Sequence, residues 1–454
     1  MLALIALYCS ETSETRQMPL LKVSDNHRFL MDENSNPFFW LGDTGWLLFT
    51  KLDRQEAMKY LDNRQQKGFN VIQVQVIDTV GTVNTYGDSA LVNLDVAEPC
   101  TTPGNSYEDP VEYDYWDHVD YIIDEAAKRD IYMALVPVWG INVKLGSVNI
   151  QQAEKYASWL ANRYKNRPNI IWVNGGDIFG YDSTAVWEMI GNTINKTDTN
   201  HLVTFHPRGR TQSSMWFHNA LWLDFNMFQS GHRRYDQDDT ELNYGEDNWR
   251  YAQSDYSLLP VKPTIDGEPS YEAIPQGLHD TLQPYWTDDD VRRYAYWSVF
   301  SGSFGHTYGH NDVMQMHKPG DIKTDFGPKD FWFNSIDAPG AGQMIHLKSL
   351  VLSRPFFERI PDQSLLSGEQ GEKYDYQAAT RGEKYAFIYT YNGRNIKVNM
   401  NRLDADKIKA SWYNPRTGEE TFAGTYENED IVAFDPPGEP ENGNDWILIL
   451  DSEE

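Results

Sequence analysis

The chain has 454 residues and a formal net charge of -28, with 40% hydrophobic and 14% aromatic residues. A chain of this size and apolar content can bury a large core and is too long for one ordinary domain. The acidic balance argues against nucleic acid and anionic membrane surfaces as partners, since both attract basic patches. Two cysteines, Cys9 and Cys100, are too few for a disulfide framework or a cysteine-based zinc site.

The first ten residues, MLALIALYCS, are similar to the apolar part of a secretory signal that lacks its basic start. We therefore predict that residues 1–19 are an export-signal remnant or a flexible N-terminus, and that the protein is exported to the periplasm or the cell surface. Cys9 is a candidate for lipid attachment, although Tyr8 stands where such sites want a small residue. No later stretch reaches the roughly 20 apolar residues of a membrane-spanning helix.

From residue 38 onward, short apolar strands alternate with amphipathic helices. The predicted strands are 38–43, 70–76, 131–139, 169–174, 201–207, 224–229, 262–268 and 302–308. The helices that follow them are predicted at 53–67, 115–129, 149–166, 184–197, 213–220, 247–257, 287–300 and 340–353. Eight strand–helix pairs predict an α/β fold, a (β/α)8 TIM barrel over residues 20–355. A doubly wound sheet ranks lower, since no glycine-rich phosphate-binding pattern opens a helix.

The pattern changes after Arg354 and Pro355, and short strand-like runs separated by turn signals follow. Asn392 and Gly393, between two such runs, are typical of a hairpin. The regular spacing predicts that residues 356–454 form a small C-terminal antiparallel β-sandwich domain.

Polar and aromatic residues stand at or just beyond the predicted strand ends. Active sites of (β/α)8 barrels lie at the carboxyl ends of the strands. Aromatic faces stack on sugar rings, and amides, carboxylates and imidazoles bind sugar hydroxyls. The predicted substrate-binding residues are Asp43, Trp46, Gln75, Trp139, Asn174, His206, Arg208, Gln229 and His306.

Two carboxylates in this region can perform glycoside chemistry, in which one protonates the leaving oxygen and the other attacks the anomeric carbon or activates water. Asp177 after strand four and Glu268 after strand seven are expected to face each other across the barrel mouth. A lone Asp after a strand is more often a turn former or helix cap. The pairing favours catalysis. Asp43 is a rival acid that we expect to bind a hydroxyl, and Asp266 is expected to support Glu268 or the barrel wall.

His306 and His310 are close enough in sequence to suggest a metal site, but no third matched ligand accompanies them. Hydrogen bonding to substrate or to Glu268 is the favoured interpretation. We therefore predict no metal and no cofactor.

Several segments together resemble a known family: FFWLGDTGWLLF, KGFNVIQVQV, WVNGGD, HPRG, DGEPSYE and YWSVFSGSFGHTYGH. Residues 20–355 resemble the apiosidase-like enzymes of glycoside hydrolase family 140, and the remainder is similar to the small β-domain, often labelled collagen-binding, that follows it in this family. The resemblance implies Asp177 in NGGD and Glu268 in DGEP as the catalytic pair. It also implies cleavage of β-linked apiose from the galacturonic acid backbone of the pectin rhamnogalacturonan-II.

One departure is notable. The wider superfamily of glycosidase barrels usually has Asn-Glu at the end of strand four, whereas this chain has Gly-Asp at that place, with Asn174 three residues earlier. A shorter acid changes the reach of the side chain, so the division of roles between the two carboxylates rests less firmly on the resemblance than their identity does.

We interpret the chain as an exported glycoside hydrolase with Asp177 as general acid/base and Glu268 as nucleophile, acting on an acidic pectic oligo- or polysaccharide. The arginines that could pair with a uronate are Arg208, the favoured one, Arg210, Arg233 and Arg234. Two alternatives stay open: a furanosidase or exo-glycosidase for another plant glycan, and a non-catalytic carbohydrate-binding or adhesion protein. The sequence makes no prediction of oligomeric state.

Overall fold

The computed structural model describes residues 18–104 and 106–453, so the predicted export signal with Cys9 lies outside the described residues apart from its last two positions. Within the described ranges, no helix has the length and apolarity needed to cross a bilayer. The strands are β1 Leu21–Val23, β2 Leu30–Asp32, β3 Pro37–Phe38, β4 Trp40–Thr44, β5 Val71–Gln75, β6 Tyr132–Val136, β7 Ile170–Ile178, β8 Val203–Pro207, β9 Thr211–Gln212, β10 Asn226–Gln229, β11 Thr264–Asp266, β12 Gly305–Tyr308, β13 Ile360–Pro361, β14 Gln377–Arg381, β15 Tyr385–Thr390, β16 Ile396–Asn399, β17 Lys407–Tyr413, β18 Glu420–Glu427, β19 Ile431–Phe434 and β20 Trp446–Glu453.

Helices follow the barrel strands along the chain. The α-helices are α1 Leu48–Lys51, α2 Arg54–Gln66, α3 Tyr115–Ala127, α4 Gly140–Lys144, α5 Ile150–Tyr164, α6 Thr184–Thr197, α7 Ser214–Phe217, α8 Asn248–Tyr256, α9 Asp288–Phe300, α10 Asn311–Met314, α11 Trp332–Ser335 and α12 Pro339–Leu352. Single 3-10 turns lie at Tyr235–Gln237, Phe356–Glu358, Gln363–Leu365 and Lys373–Asp375.

Eight parallel strands form the barrel, in the spatial order β8-β7-β6-β5-β4-β12-β11-β10, with β9 added antiparallel to β10. Side-chain and loop contacts close the gap between β8 and β10: the Thr204 hydroxyl donates to the Phe225 carbonyl at 2.7 Å, and the Asp224 amide donates to the Val203 carbonyl at 2.9 Å. The predicted TIM barrel is confirmed, and each of its eight predicted strands overlaps an observed one.

The sequence forms these elements for local reasons. All residues of β4, β5 and β6 are buried, because helices cover one face and the barrel interior the other. Capping boxes begin α2 and α5: Asp53 accepts from the Glu56 amide, and Asn149 accepts from the Gln152 amide.

The N-terminal antiparallel sheet β1-β2-β3 was not predicted, because strands of two or three residues are too short to show alternation. Phe38 contacts Tyr132 edge-on at a centroid distance of 5.2 Å, and the Tyr132 hydroxyl donates to the Pro19 carbonyl at 2.5 Å. Since Tyr132 begins β6, the small sheet lies at the amino ends of the barrel strands, opposite the mouth.

The C-terminal residues form a six-stranded antiparallel sheet, β13-β14-β15-β20-β17-β18, and a two-stranded sheet, β16-β19, with an apolar core that includes Ile388, Val398 and Leu448. The predicted sandwich is therefore confirmed. The hairpin prediction at Asn392 and Gly393 is wrong: this turn joins β15 to β16, which pair with different strands in different sheets.

The sandwich packs on α9 of the barrel through matched aromatic and charged contacts. Tyr296 stacks on Tyr389 at 4.9 Å. Arg292 makes a bidentate pair with Asp445, with nitrogen–oxygen distances of 2.9 and 3.0 Å, and both side chains are buried. One apolar core includes residues of both units, so they are joined by core packing.

Candidate active site

A cleft with a volume of about 420 Å³ opens at the carboxyl ends of the barrel strands. Its walls contain both polar and aromatic side chains, a combination suited to a small polar ligand. Seven of the predicted site residues line it: Trp46, Gln75, Trp139, Asp177, Arg208, Gln229 and Glu268.

Glu268 follows β11 by two residues, and its carboxylate faces two imidazoles. The Nε2 atom of His232 lies 2.9 Å from Oε1 of Glu268, and the Nε2 atom of His206 lies 3.0 Å from Oε2. The first contact is an aligned hydrogen bond, whereas the second has ion-pair distance without hydrogen-bond alignment. Each carboxylate oxygen therefore has its own histidine neighbour.

Backbone amides set the protonation of both rings. The Asp177 amide donates to Nδ1 of His206 at 3.2 Å, and the Tyr271 amide donates to Nδ1 of His232 at 3.3 Å. A ring nitrogen that accepts a hydrogen bond carries no proton, so each imidazole presents its one proton on Nε2 to Glu268. Glu268 is thus surrounded by donors that need carry no positive charge.

This environment holds the Glu268 carboxylate ionised. Burial by itself would raise the pKa of Glu268, but the interactions with the His206 and His232 imidazoles outweigh burial and lower the pKa to about 2. Glu268 is buried, yet it borders the cleft. A carboxylate that stays ionised and borders a cleft can act as a nucleophile or base.

The backbone at the end of β7 turns Asp177 toward the cleft. Gly175, Gly176 and Asp177 have φ values of 90°, 106° and 47°, and the pairing of β7 with β8 is bulged between Gly175 and Ile178. A Cβ on Gly176 would lie 2.5 Å from the Trp139 ring. Glycine is therefore required here for both the left-handed backbone and the close approach of the tryptophan.

Asp177 has the opposite electrostatic environment from Glu268. Burial raises the pKa of Asp177, and the negative charge of Glu268 raises it further. Arg208 opposes both effects, since its Nη1 atom donates to Oδ2 of Asp177 at 2.8 Å. The two cleft carboxyls thus have pKa values shifted in opposite directions, which is how acid and base roles are separated in active sites.

An aromatic wall lines the cleft beside the two acids. The Trp46 and Trp139 rings lie 5.1 Å apart, and the indole Nε1 of Trp46 donates to the Tyr271 hydroxyl at 3.2 Å. Such rings pack against the apolar face of a sugar, and this gives the cleft a carbohydrate-binding character.

Two predicted substrate-binding residues lie away from the cleft. Asp43 is completely buried beside α2, where Nε of Arg64 lies 2.6 Å from Oδ2 of Asp43. Asn174 is also buried, and its amide donates to the Trp187 carbonyl at 2.8 Å. It does not end its strand, because β7 continues through the bulge to Ile178.

The two predicted histidines are buried as well. His206 is completely buried, does not line the cleft, and contacts Glu268 and the Asp177 amide, where it can position both acids. His306 is the second residue of β12 and is completely buried, and neither ring nitrogen has a hydrogen-bond partner among the described residues. Burial lowers the pKa of His306 to about 3.

The remaining candidates have structural roles. His310 caps α10 by accepting from the Asp312 amide at 3.1 Å. Asp266 accepts from Ser230 and Asn248 at 2.7 and 3.0 Å, in agreement with its expected place in the barrel wall. In residues 18–104 and 106–453, no group of three or more His, Cys, Asp and Glu side chains is arranged to hold a metal ion.

His232 and Tyr271 were not assigned to the site from sequence. Both lie in loops beyond the strand ends, where position along a strand gives no information about direction. The signals that could have found them are the unusual basic run HRRY and the family-like segment DGEPSYE. Arg210 and Arg233, two of the four arginine candidates, line the cleft together with Arg208.

Comparison with known proteins agrees with this geometry. Residues 24–358 match the family described as "Apiosidase-like, catalytic domain", and residues 360–451 match the "Putative collagen-binding domain of a collagenase". A solved structure described as a glycoside hydrolase has 47% sequence identity and a TM-score of 0.90, covering 96% of this chain and 97% of that chain. No curated protein sequence matches the chain.

A second solved structure, a glycoside hydrolase family 5 protein from Bacteroides vulgatus, has 45% identity and a TM-score of 0.90, covering 96% of this chain and 93% of that chain. The family match extends over most of the chain, and both structures match it over nearly its full length. The chain therefore belongs to the apiosidase-like glycoside hydrolases.

Proposed function

We propose that the protein hydrolyses apiosyl linkages in rhamnogalacturonan-II pectin with Asp177 and Glu268 as its catalytic pair. The observation that carries the proposal is the pair itself: two carboxyls border one cleft, with the pKa of Asp177 raised and that of Glu268 lowered. The family match supports a glycosidic substrate, whereas the apiosyl linkage and the pectin substrate are our proposal.

The reaction follows from the two protonation states. Protonated Asp177 gives its proton to the glycosidic oxygen while ionised Glu268 attacks the anomeric carbon, which forms a glycosyl ester and releases the leaving sugar. Asp177, now ionised, takes a proton from water, and the resulting hydroxide cleaves the ester and restores Glu268. His206 and His232 hold Glu268 in place during both steps.

Three arginines along the cleft support an acidic substrate in a protein of net charge -28. Arg208 is already paired with Asp177. Arg210 and Arg233 lie near the exposed Asp239, with nitrogen–oxygen distances of 3.3 and 3.9 Å. We therefore favour these two over Arg208 as partners for a uronate, because both line the cleft and neither is paired with a catalytic carboxyl.

The test is release of apiose from rhamnogalacturonan-II oligosaccharides, followed by chromatography, with wild type, Asp177→Asn and Asp325→Asn. Asp177→Asn should lower kcat by about a thousandfold, because the proton donor is lost while shape is kept. Asp325 also lines the cleft but is exposed, so Asp325→Asn is the matched control and should stay near wild type.

Other outcomes identify the alternatives. Release of a different sugar from a panel of plant glycans would keep the catalytic pair and replace the substrate. Binding without release from any glycan would favour the non-catalytic interpretation. If Asp325→Asn lost as much activity as Asp177→Asn, the result would contradict the assignment of Asp177 as the general acid.

A further inference from the structure

Three aromatic side chains pack together near the candidate acid, and we call Phe179, Tyr181 and Trp216 the aromatic platform; Tyr181 is exposed, and Phe179 and Trp216 are half-buried. The Phe179 and Tyr181 rings stack at 4.9 Å with an angle of 11°, and the Trp216 ring meets them edge-on at 6.3 and 6.0 Å. Tyr181 is 62% exposed, so its stacked face is covered while much of the ring is open to solvent.

The platform lies outside the cleft lining, next to the segment that carries the candidate acid. Phe179 lies two residues after Asp177 on the same chain segment. Asp182 pairs with Lys144 of α4 at 3.1 Å, and Ile141 in the same short helix lines the cleft. Helix α4 therefore contacts both the cleft and the loop that carries Tyr181.

Several hydrogen bonds hold the loop in one conformation, which lowers the entropic cost of binding a ligand there. The Asp182 amide donates to the Phe179 carbonyl at 2.9 Å, and the Thr184 hydroxyl donates to the Gly180 carbonyl at 2.9 Å. The Trp187 indole donates to the Asp182 carbonyl at 2.6 Å. A Cβ on Gly180 would lie 2.6 Å from the Trp216 ring, so glycine allows the two segments to pack together.

We propose that the aromatic platform binds a sugar of the leaving group, beyond the linkage that is cut. The inference rests on the proposed function, because a general acid protonates the leaving oxygen and the leaving sugars must therefore lie on the Asp177 side. A stacked, half-open ring in that place fits the apolar face of a pyranose in an oligosaccharide chain. Single exposed apolar residues are ordinary on protein surfaces, so the proposal rests on the place of the Tyr181 ring beside the segment of the acid and on the rings that hold it there.

The test compares Tyr181→Ala, Tyr181→Phe and Phe422→Ala with wild type. Phe422 is a matched control, since it is an aromatic residue of 61% exposure on β18 in the C-terminal sheet. The value of kcat/KM is measured on a rhamnogalacturonan-II oligosaccharide and on p-nitrophenyl β-apioside, whose leaving group carries no sugar. Tyr181→Ala should lose about threefold to tenfold on the oligosaccharide and little on the aryl glycoside.

Tyr181→Phe keeps the stack and should retain activity on the oligosaccharide, as should Phe422→Ala. If Tyr181→Ala lost activity equally on both substrates, or on neither, the result would contradict sugar binding by the aromatic platform and leave the proposed function intact. Wild type inactive on both substrates would reject the proposed function. In that case, native gels containing soluble pectin still test whether the aromatic platform binds sugar. The proposal is supported if pectin slows wild type, Tyr181→Ala weakens this effect and Phe422→Ala does not. Equal migration of all variants rejects it.

Discussion

Asp43 and Glu268 are both buried carboxylates near the carboxyl ends of barrel strands, yet their partners differ. Asp43 is paired with the fixed cation of Arg64 and also accepts from the Tyr60 hydroxyl at 2.5 Å. Glu268 has two imidazole donors and a cleft in front of it. The first carboxylate has its charge neutralised in a closed contact, whereas the second keeps a charge that a ligand can approach.

The difference teaches how a buried carboxylate becomes available for chemistry. A guanidinium neutralises the acid and fills the space around it. Burial by itself would lower the pKa of Arg64, but the charge of Asp43 outweighs it and raises the pKa of Arg64 above its ordinary value; at Asp43 burial outweighs the Arg64 contact and raises the pKa of the carboxyl. Donors that need carry no charge stabilise the ionised acid without neutralising it, and they leave one side open.

Glu268→Gln removes the carboxylate that borders the cleft, and it has the largest expected effect. The value of kcat should fall by roughly ten-thousandfold or more, because the amide keeps the shape but cannot attack the anomeric carbon. Steady-state kinetics on apiose-bearing oligosaccharides measure the loss, and circular dichroism checks that the fold is retained. Turnover near that of wild type would remove Glu268 from the mechanism.

Asp43→Asn removes the charge of the carboxylate that is paired with Arg64, and it should lower stability instead of activity. It leaves Arg64 buried with a weakened partner, so unfolding free energy should fall by about 3 kcal/mol, while kcat per folded molecule changes little. Urea unfolding provides the measurement. Glu427→Gln, which removes the exposed pair with Lys407, is the control and should change stability by less than about 1 kcal/mol. A large loss of kcat with normal stability in Asp43→Asn would return Asp43 to the site.

His232→Leu tests whether the imidazole donor keeps Glu268 ionised. Its expected effect is smaller and concerns the pH profile of kcat/KM. Removing an Nε2 donor raises the pKa of Glu268 above its value of about 2. Glu268 must be ionised to react, so the acid limb of kcat/KM should move to higher pH. His279→Leu, which removes an exposed imidazole that contacts Phe326 at 5.1 Å, should leave the limb in place. An unmoved limb in His232→Leu would show that this donor does not set the Glu268 pKa.

The barrel was predictable because its strands are long enough to show continuous apolar runs and its helices show a 3.6-residue period. Both signals are local. β1, β2 and β3 show neither, since each has three residues or fewer. The wrong hairpin at Asn392 has a different cause: a turn sequence specifies the bend but not which strand pairs with which.

The site was predictable in part for the same reason. The carboxyl end of a strand identifies an edge, and this brought Asp177, Glu268, Gln75 and Gln229 to one cleft. The position of a residue at a strand end does not specify which way its side chain points. The side chain of Asp43 contacts Arg64 of α2, and this depends on the residues that pack around β4. The extension of β7 past Asn174 depends on a bulge that sequence alone does not show.

The left-handed backbone of Asp177 links the length of the acid to the shape of the strand. At a φ of 47°, aspartate is among the few residues other than glycine that the backbone accepts readily, and glutamate is not. An exchange of Asp for Glu at this position would therefore strain the turn as well as lengthen the acid. The short acid and the bulge are therefore coupled physically: the backbone that turns the acid toward the cleft also restricts which acid fits at that position.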